Sequence, residues 1–316
     1  MEENMKNRKC ILNMILVAVF INILWSPKLV NAQVIESEHI IVVDMKTGNR
    51  QRFDLPKEEN INRSIIVNGE LPSYNYYSLK NIMSDVTNVL GFSTKINPLA
   101  IFGPDDRQKV ENTSLFPYCA VARLNVTYAD GTENYSTGAM INNHLLMTAG
   151  HVLMHGEFPI VNVKVQFGRK GSYTYYEVDD FSHYIVKESY ADFNGKVEDD
   201  YGFLVFSSNV GQYTGHFGYI YNPQNSETLY TAGYPDDKSK GQYMYAASGN
   251  ILSLSKDVLT FDVDTYGGQS GSPLYVMRDG QPYAIGAVSA HNDSFNLGRR
   301  LDTELYQWLV DHGYWR

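Results

Sequence analysis

A chain of 316 residues with 43% apolar and 19% charged residues is long and apolar enough to bury a real core, which excludes a disordered chain or a charged tail. Residues 1–99 hold 11 Lys and Arg against 10 Asp and Glu, and residues 100–316 hold 15 against 25, so the acidic second part argues against nucleic acid and anionic membrane as partners. With only Cys10 and Cys119, a disulfide framework and a Cys-rich zinc module are excluded as well.

The first element in the chain is an apolar run. Lys6, Arg8 and Lys9 precede Ile11–Trp25, an apolar stretch broken by Asn13 and Asn22, and Val30-Asn31-Ala32 follows. Basic, then apolar, then small at the last and third-last positions is the order of an export signal, expected over residues 1–32. A transmembrane anchor is the rival reading, but it needs about 20 apolar residues and this run is shorter. Loss of the signal would remove Cys10 and leave Cys119, read as a buried small side chain.

Residues 33–99 offer a strand over Ile40–Met45 and a short helix over Ser78–Val89, separated by polar, turn-rich stretches. That is too thin for an independent core, so the segment reads as a propeptide, with a small accessory domain as the alternative.

From Ala100 the pattern changes to many short Val/Ile/Tyr-rich runs. Strands are expected over Ala120–Tyr128, Ala139–Met147, Ile160–Phe167, Thr174–Val178, Gly202–Ser207, Leu229–Gly233, Gly249–Leu254, Val258–Val263, Leu274–Met277 and Ala284–Ser289. This spacing suggests an all-β barrel or sandwich rather than βαβ units. One clear helix is expected over Leu301–Val310, with Leu301, Leu305, Trp308 and Leu309 on one face.

Three short motifs carry chemistry: Thr148-Ala149-Gly150-His151, Asp199-Asp200-Tyr201-Gly202, and Asp264-Thr265-Tyr266-Gly267-Gly268-Gln269-Ser270-Gly271-Ser272-Pro273. Acyl transfer by a serine needs a hydroxyl, a base for its proton and a buried acid that fixes the base's tautomer. Backbone N–H donors for the developing oxyanion are also needed, and a glycine-rich turn can converge those of Gly268 and Ser270. Alone, each motif reads as ordinary structure: a half-buried histidine, a solvated acidic pair, a turn. Their conjunction, in the order His151, Asp200, Ser270, is what points to chemistry. The nucleophile elbow G-x-S-x-G fails here, because Ser272 stands in its last place. A Ser270, Asp302, His312 order would fit an α/β-hydrolase but would require a parallel sheet. The subtilisin order would leave His151 without a motif-bearing Asp upstream.

With these motifs in place, the region from about Ala100 to Arg316 resembles the bacterial glutamyl endopeptidases, exported trypsin-fold serine proteases. Asp105-Asp106-Arg107, Tyr213–Tyr221 and Gly233-Tyr234-Pro235-Asp236-Asp237-Lys238 also match that family's blocks in order. The resemblance implies two six-stranded antiparallel β-barrels with a C-terminal helix, and a site in the cleft between them. His151 would be general base and then general acid, Asp200 its orienting partner, Ser270 the nucleophile, and Gly268 and Ser270 N–H the oxyanion hole. It further implies cleavage after Glu or Asp, with Thr265 in the pocket, Ser289 at the pocket wall, and either His291 or the place now held by Val288 supplying a histidine. The mature N-terminus would be Ala100. Since Leu99 precedes that bond, another protease would make the cut. The whole chain is thus expected to be signal peptide (1–32), propeptide (33–99) and protease domain (100–316). It would be a secreted monomer acting on proteins or peptides, with no cofactor or metal and no stable membrane association after signal cleavage. A trypsin-fold protease of other specificity, or a narrow-specificity or inert toxin-like binding protein, is the alternative.

Overall fold

β-branched and aromatic runs, broken by Gly, Asn and Asp turns, set the strands of this chain. The computed structural model describes residues 39–56, 66–67, 101–191, 196–291 and 294–315. The expected signal peptide, the helix over 78–89 and Ala100 lie outside the described residues. In chain order the strands are β1 (His39–Asp44), β2 (Arg50–Asp54), β3 (Ile66–Val67), β4 (Gln108–Lys109), β5 (Val121–Tyr128), β6 (Glu133–Met140) and β7 (Leu145–Thr148). A short helix α1 (Gly150–Leu153) leads to β8 (Met154–His155), β9 (Phe158–Phe167), β10 (Tyr176–Val178) and β11 (Phe181–Lys187). Then come α2 (Glu188–Ala191), β12 (Gly202–Phe206), α3 (Val210–Thr214), β13 (Gly218–Ile220), β14 (Thr228–Gly233), β15 (Tyr245–Leu254) and β16 (Val258–Phe261). The chain ends with β17 (Pro273–Arg278), β18 (Gln281–His291), β19 (Asn296–Arg300) and α4 (Thr303–Asp311).

Two sheets hold these strands. The first runs β10-β9-β5-β6-β7-β12-β11-β1-β2 and curls without closing, with β8 on β9. In the second, β17-β14-β15-β16-β19-β18 closes through β17–β18 pairing into a six-stranded barrel; β13, β3 and β4 are added outside that ring. The all-β, two-barrel expectation therefore stands, with one barrel closed and the other a curled sheet. Leu124, Leu146, Val163, Val165, Tyr184 and Phe206 fill the first sheet. Leu229, Leu259, Phe261, Leu274, Val276 and Ile285 fill the second. A third cluster, with Ala139, Phe203, Phe217, Tyr275 and Trp308, draws on elements of both. Each fully buried large side chain contributes about 1.5–3 kcal/mol relative to exposure, so the two halves form a firm bed for residues at their junction.

Four details differ from the sequence expectation. The strand over 139–147 is two strands, because the Asn142 side chain accepts the N–H groups of His144 (2.8 Å) and Leu145 (2.7 Å) and turns the chain. β11 and β19 were not expected; β19 reads as polar, yet its Arg299 is buried with Asp302 (2.7 Å). Residues 39–54 form a hairpin whose β1 joins the first sheet beside β11. Finally, the C-terminal helix starts two residues later than expected, with Asp302 as N-cap accepting the Leu305 N–H at 2.7 Å. That cap and the His312–Trp308 carbonyl contact (2.9 Å) give Asp302 and His312 helix-end roles, apart from any hydrolase triad. Among the described residues no helix is long and apolar enough to cross a membrane.

Candidate active site

β7 delivers His151 into the single helical turn α1. Gly150 is closely packed there: a Cβ on it would stand 3.0 Å from the Tyr201 carbonyl and 3.3 Å from Asp200 Oδ1. That close approach brings the His151 backbone N–H to Asp200 Oδ1 (2.9 Å) and its ring Nδ1 to Asp200 Oδ2 (2.8 Å). One carboxylate thus holds both the main chain and the ring of the histidine. Asp200 itself sits in the turn before β12 and is 1% exposed. A third donor, the Ser289 hydroxyl, reaches Asp200 Oδ2 from β18 of the other sheet.

The electrostatics follow from this geometry. Burial raises the Asp200 pKa, but the His151 charge and the hydrogen bonds from His151 and Ser289 outweigh it, so the carboxyl is held below its ordinary value. For His151, burial lowers the pKa, while the Asp200 charge and hydrogen bond raise it more, leaving it above that of a free histidine. Neighbouring Asp199 is engaged elsewhere, accepting from Ser189 Oγ at 2.8 Å, with Lys187 Nζ at 3.8 Å. The acidic pair is thus divided, and only Asp200 faces the imidazole.

Ser270 lies in the loop before β17, and the first sheet grips that loop through β6. Thr137 N–H and Ser136 Oγ both donate to the Ser270 carbonyl, at 3.1 Å and 2.7 Å, and Thr137 Oγ1 donates to the Gly268 carbonyl at 2.9 Å. With its carbonyls held this way, the loop leaves the Gly268 and Ser270 N–H groups without an acceptor among the described residues. Gly268 has φ +88°, and a Cβ there would lie 2.5 Å from the Tyr234 carbonyl, so only glycine fits the turn. The Ser270 hydroxyl makes no hydrogen bond to His151; such contacts often tighten only in the substrate complex. A histidine ring locked on a buried carboxylate is the base that acyl transfer by a serine requires, and the Ser270 loop is the candidate for the nucleophile and its N–H donors.

The specificity residues are placed less evenly. Thr265 is buried, His291 is exposed at the end of β18 opposite Asn296, and Val288 lies in the core of the closed barrel. A register shift between Val288 and Ala290 marks a bulge at Ser289, the residue whose side chain reaches Asp200. Asp264 accepts the backbone N–H of Phe102 (2.7 Å) and of Asp106 (3.2 Å). Cys119 is fully buried, its thiol pushed up to about 12 by burial, and it takes no part.

Sequence reasoning missed the role of Arg107. Its side chain is fully buried, with Asp105 at 2.9 Å and Asp237 at 2.5 Å, and its Nη1 reaches Gln269 Oε1 at 3.4 Å. Gln269 Oε1 also accepts the Tyr266 N–H at 3.0 Å, so the guanidinium braces the loop that carries Ser270. The signal was present, since Asp105-Asp106-Arg107 and Asp236-Asp237-Lys238 are complementary charged clusters; their meeting across 130 residues was not visible.

The family described as trypsin-like peptidase domain matches residues 136–285. A glutamyl endopeptidase of Bacillus licheniformis is 30% identical over 226 residues, 67% of this chain and 68% of that protein. A Bacillus subtilis protein named extracellular metalloprotease is 31% identical over 236 residues, 70% of this chain and 71% of that protein. Among solved structures, a Glu endopeptidase in complex with MPD shares the fold, with a TM-score of 0.58 at 22% identity, over 68% of this chain and all of that one.

Proposed function

The chain belongs to the trypsin-like serine proteases of the glutamyl endopeptidase family, and from that premise we propose that it is an exported endopeptidase that cuts proteins after Glu through His151, Asp200 and Ser270. The observation that carries the catalytic part is the His151 ring held at 2.8 Å by a buried carboxylate that Ser289 also engages. In this reading His151 Nε2 takes the Ser270 proton as Oγ attacks the scissile carbonyl. The developing oxyanion is received by the Gly268 and Ser270 N–H groups. His151 then returns the proton to the leaving amine, and water repeats the sequence on the acyl-enzyme. Asp200 stays ionised throughout and keeps the proton of the neutral ring on Nδ1.

Support for an acidic residue before the cut comes from two places. Thr265 stands five residues before Ser270 in the sequence, the place that the resemblance gives to the pocket threonine. Asp264, six residues before Ser270, accepts two backbone N–H groups and burial raises its pKa, so it is not a free charge that would favour Lys or Arg. Export is supported by the basic-apolar-small order of residues 1–32, and processing near Ala100 by the family pattern around Asp106 and Arg107.

Cleavage-site profiling on a peptide library tests the specificity. Glu is expected before the cut bond. Thr265→Val, which deletes one hydrogen bond to a charged group worth about 1.5–3 kcal/mol, should lower kcat/KM for Glu substrates by roughly 10- to 150-fold. His291→Ala should do the same if His291 supplies the pocket histidine. A profile dominated by Lys, Arg or large apolar residues would replace the glutamyl reading with a trypsin-fold protease of other specificity.

A further inference from the structure

Strand β1 is built like an interior strand. It pairs with β11 from Ile40 opposite Lys187 to Asp44 opposite His183, and with β2 from His39 opposite Asp54 to Val43 opposite Arg50. Its four central residues, Ile40 to Val43, are 0–7% exposed. They are buried on both faces of the sheet: Ile41 and Val43 pack in the interior of the first sheet with Tyr184 and Phe206, while Ile40 and Val42 belong to the central cluster with Phe203 and Trp308. Strand β2 seals this arrangement. Phe53 meets Trp308 edge-on at 5.6 Å and His312 at 4.8 Å, closing the hairpin against α4. Arg52 pairs with Glu188 at the start of α2 at 2.8 Å. Arg50, Gln51 and Arg52 of β2 are exposed, the charged finish that protects a sheet edge. No such finish exists on β11, whose Tyr184, Ile185 and Val186 are buried. Without the hairpin, β11 would be a bare apolar edge with a row of unpaired backbone groups.

We infer that residues 39–54 are a permanent structural part of the active enzyme. When the chain is cut near Ala100, the hairpin stays seated between β11 and α4 as a separate, non-covalently held piece. That second clause rests on the processing reading above; the seat itself does not. The hairpin lies outside residues 136–285 that the peptidase family matches, and the Glu endopeptidase structure is matched along its whole length by 68% of this chain, so the inference belongs to this chain's own contacts.

A biotinylated fluorophosphonate tests it on the protein as secreted. The labelled active enzyme is captured under native conditions, eluted in denaturant, and its peptides are quantified by mass spectrometry. Peptides from 39–54 should be recovered in equal amount with the Ser270-bearing fragment, and the two should separate only in denaturant. Labelled enzyme that begins near Ala100 and carries no 39–54 peptide would overturn the inference. An active uncut chain would refute the processing reading while upholding the hairpin as part of the active protein. As an independent check, Val42→Ala should lower the Tm of the labelled enzyme by several degrees. An unchanged Tm would mean that the hairpin is absent from the active form, and would also overturn the inference.

Discussion

The closed barrel and the curled sheet contribute to the site in different currencies of structure. From the closed barrel comes Ser270, on a loop whose shape is a matter of backbone: Gly268 at φ +88°, Gly271 at φ +79°, and carbonyls held by Ser136 and Thr137. From the curled sheet come His151 and Asp200, whose relation is a matter of side-chain hydrogen bonds and charge. Closure pins the ends of β17 and β18 on both sides, so a turn between strands can hold an unusual backbone at little risk of drift. The open sheet lacks that restraint and instead fixes its pair by gathering donors on one buried carboxylate: the His151 N–H and ring, Ser289 and, from α2, Tyr190. One of those donors, Ser289, comes from the closed barrel, and it ties the two modes together.

This contrast can be broken from either side. The largest effect is expected on the side-chain half. Asp200→Asn keeps the volume but reverses the preferred ring tautomer of His151, and kcat should fall by on the order of 10⁴, as in trypsin-type triads, in steady-state assays. Protein folding, followed by circular dichroism, should be retained. On the backbone half, Gly268→Ala places a Cβ 2.5 Å from the Tyr234 carbonyl at a positive φ. The loop must shift and misplace an oxyanion donor, with an expected loss of roughly 10²–10³ in kcat. At the tie between halves, Ser289→Ala removes one hydrogen bond to the Asp200 carboxylate and should cost roughly 10- to 150-fold in kcat/KM, the equivalent of about 1.5–3 kcal/mol.

The smallest expected effect is a shift in the pH profile. Because the His151 pKa is raised by Asp200, the neutral base becomes available only above the ordinary histidine value of about 6.5. The rise of kcat/KM with pH should therefore have its midpoint above that value. In Ser289→Ala the carboxylate loses a competing donor, its charge acts more fully on the ring, and the midpoint should move slightly upward. A midpoint that moved down would mean that Ser289 strengthens, rather than shares, the hold of Asp200 on His151.

Much of the site was legible because its pieces are local. TAGH, the acidic pair before Gly202, and GGQSGSP each sit within ten residues, and their order alone separated this chain from other serine-hydrolase plans. The strands with strong β-branched runs were legible for the same reason. What escaped the sequence depends on long-range partners. Arg107 reads as a surface charge until Asp237 is brought to it, and β19 reads as a polar loop until Arg299 finds Asp302. Ile40–Met45 was readable as a strand, but nothing local says that it lies beside Lys187 rather than in a core of its own. The break between β6 and β7 was hidden by apolar residues on both sides of Asn142 and Asn143, where turn chemistry prevailed over hydrophobic pattern.

Labelling of the protein with a radiolabelled organophosphorus ester, followed by peptide mapping, tests the triad most directly. A single adduct on Ser270 is predicted, forming in parallel with loss of endopeptidase activity, greatly slowed in His151→Ala and unaffected by metal chelators. An adduct on another residue, or activity that survives the reagent and is lost to a chelator, would contradict the assignment of His151, Asp200 and Ser270 as the catalytic apparatus.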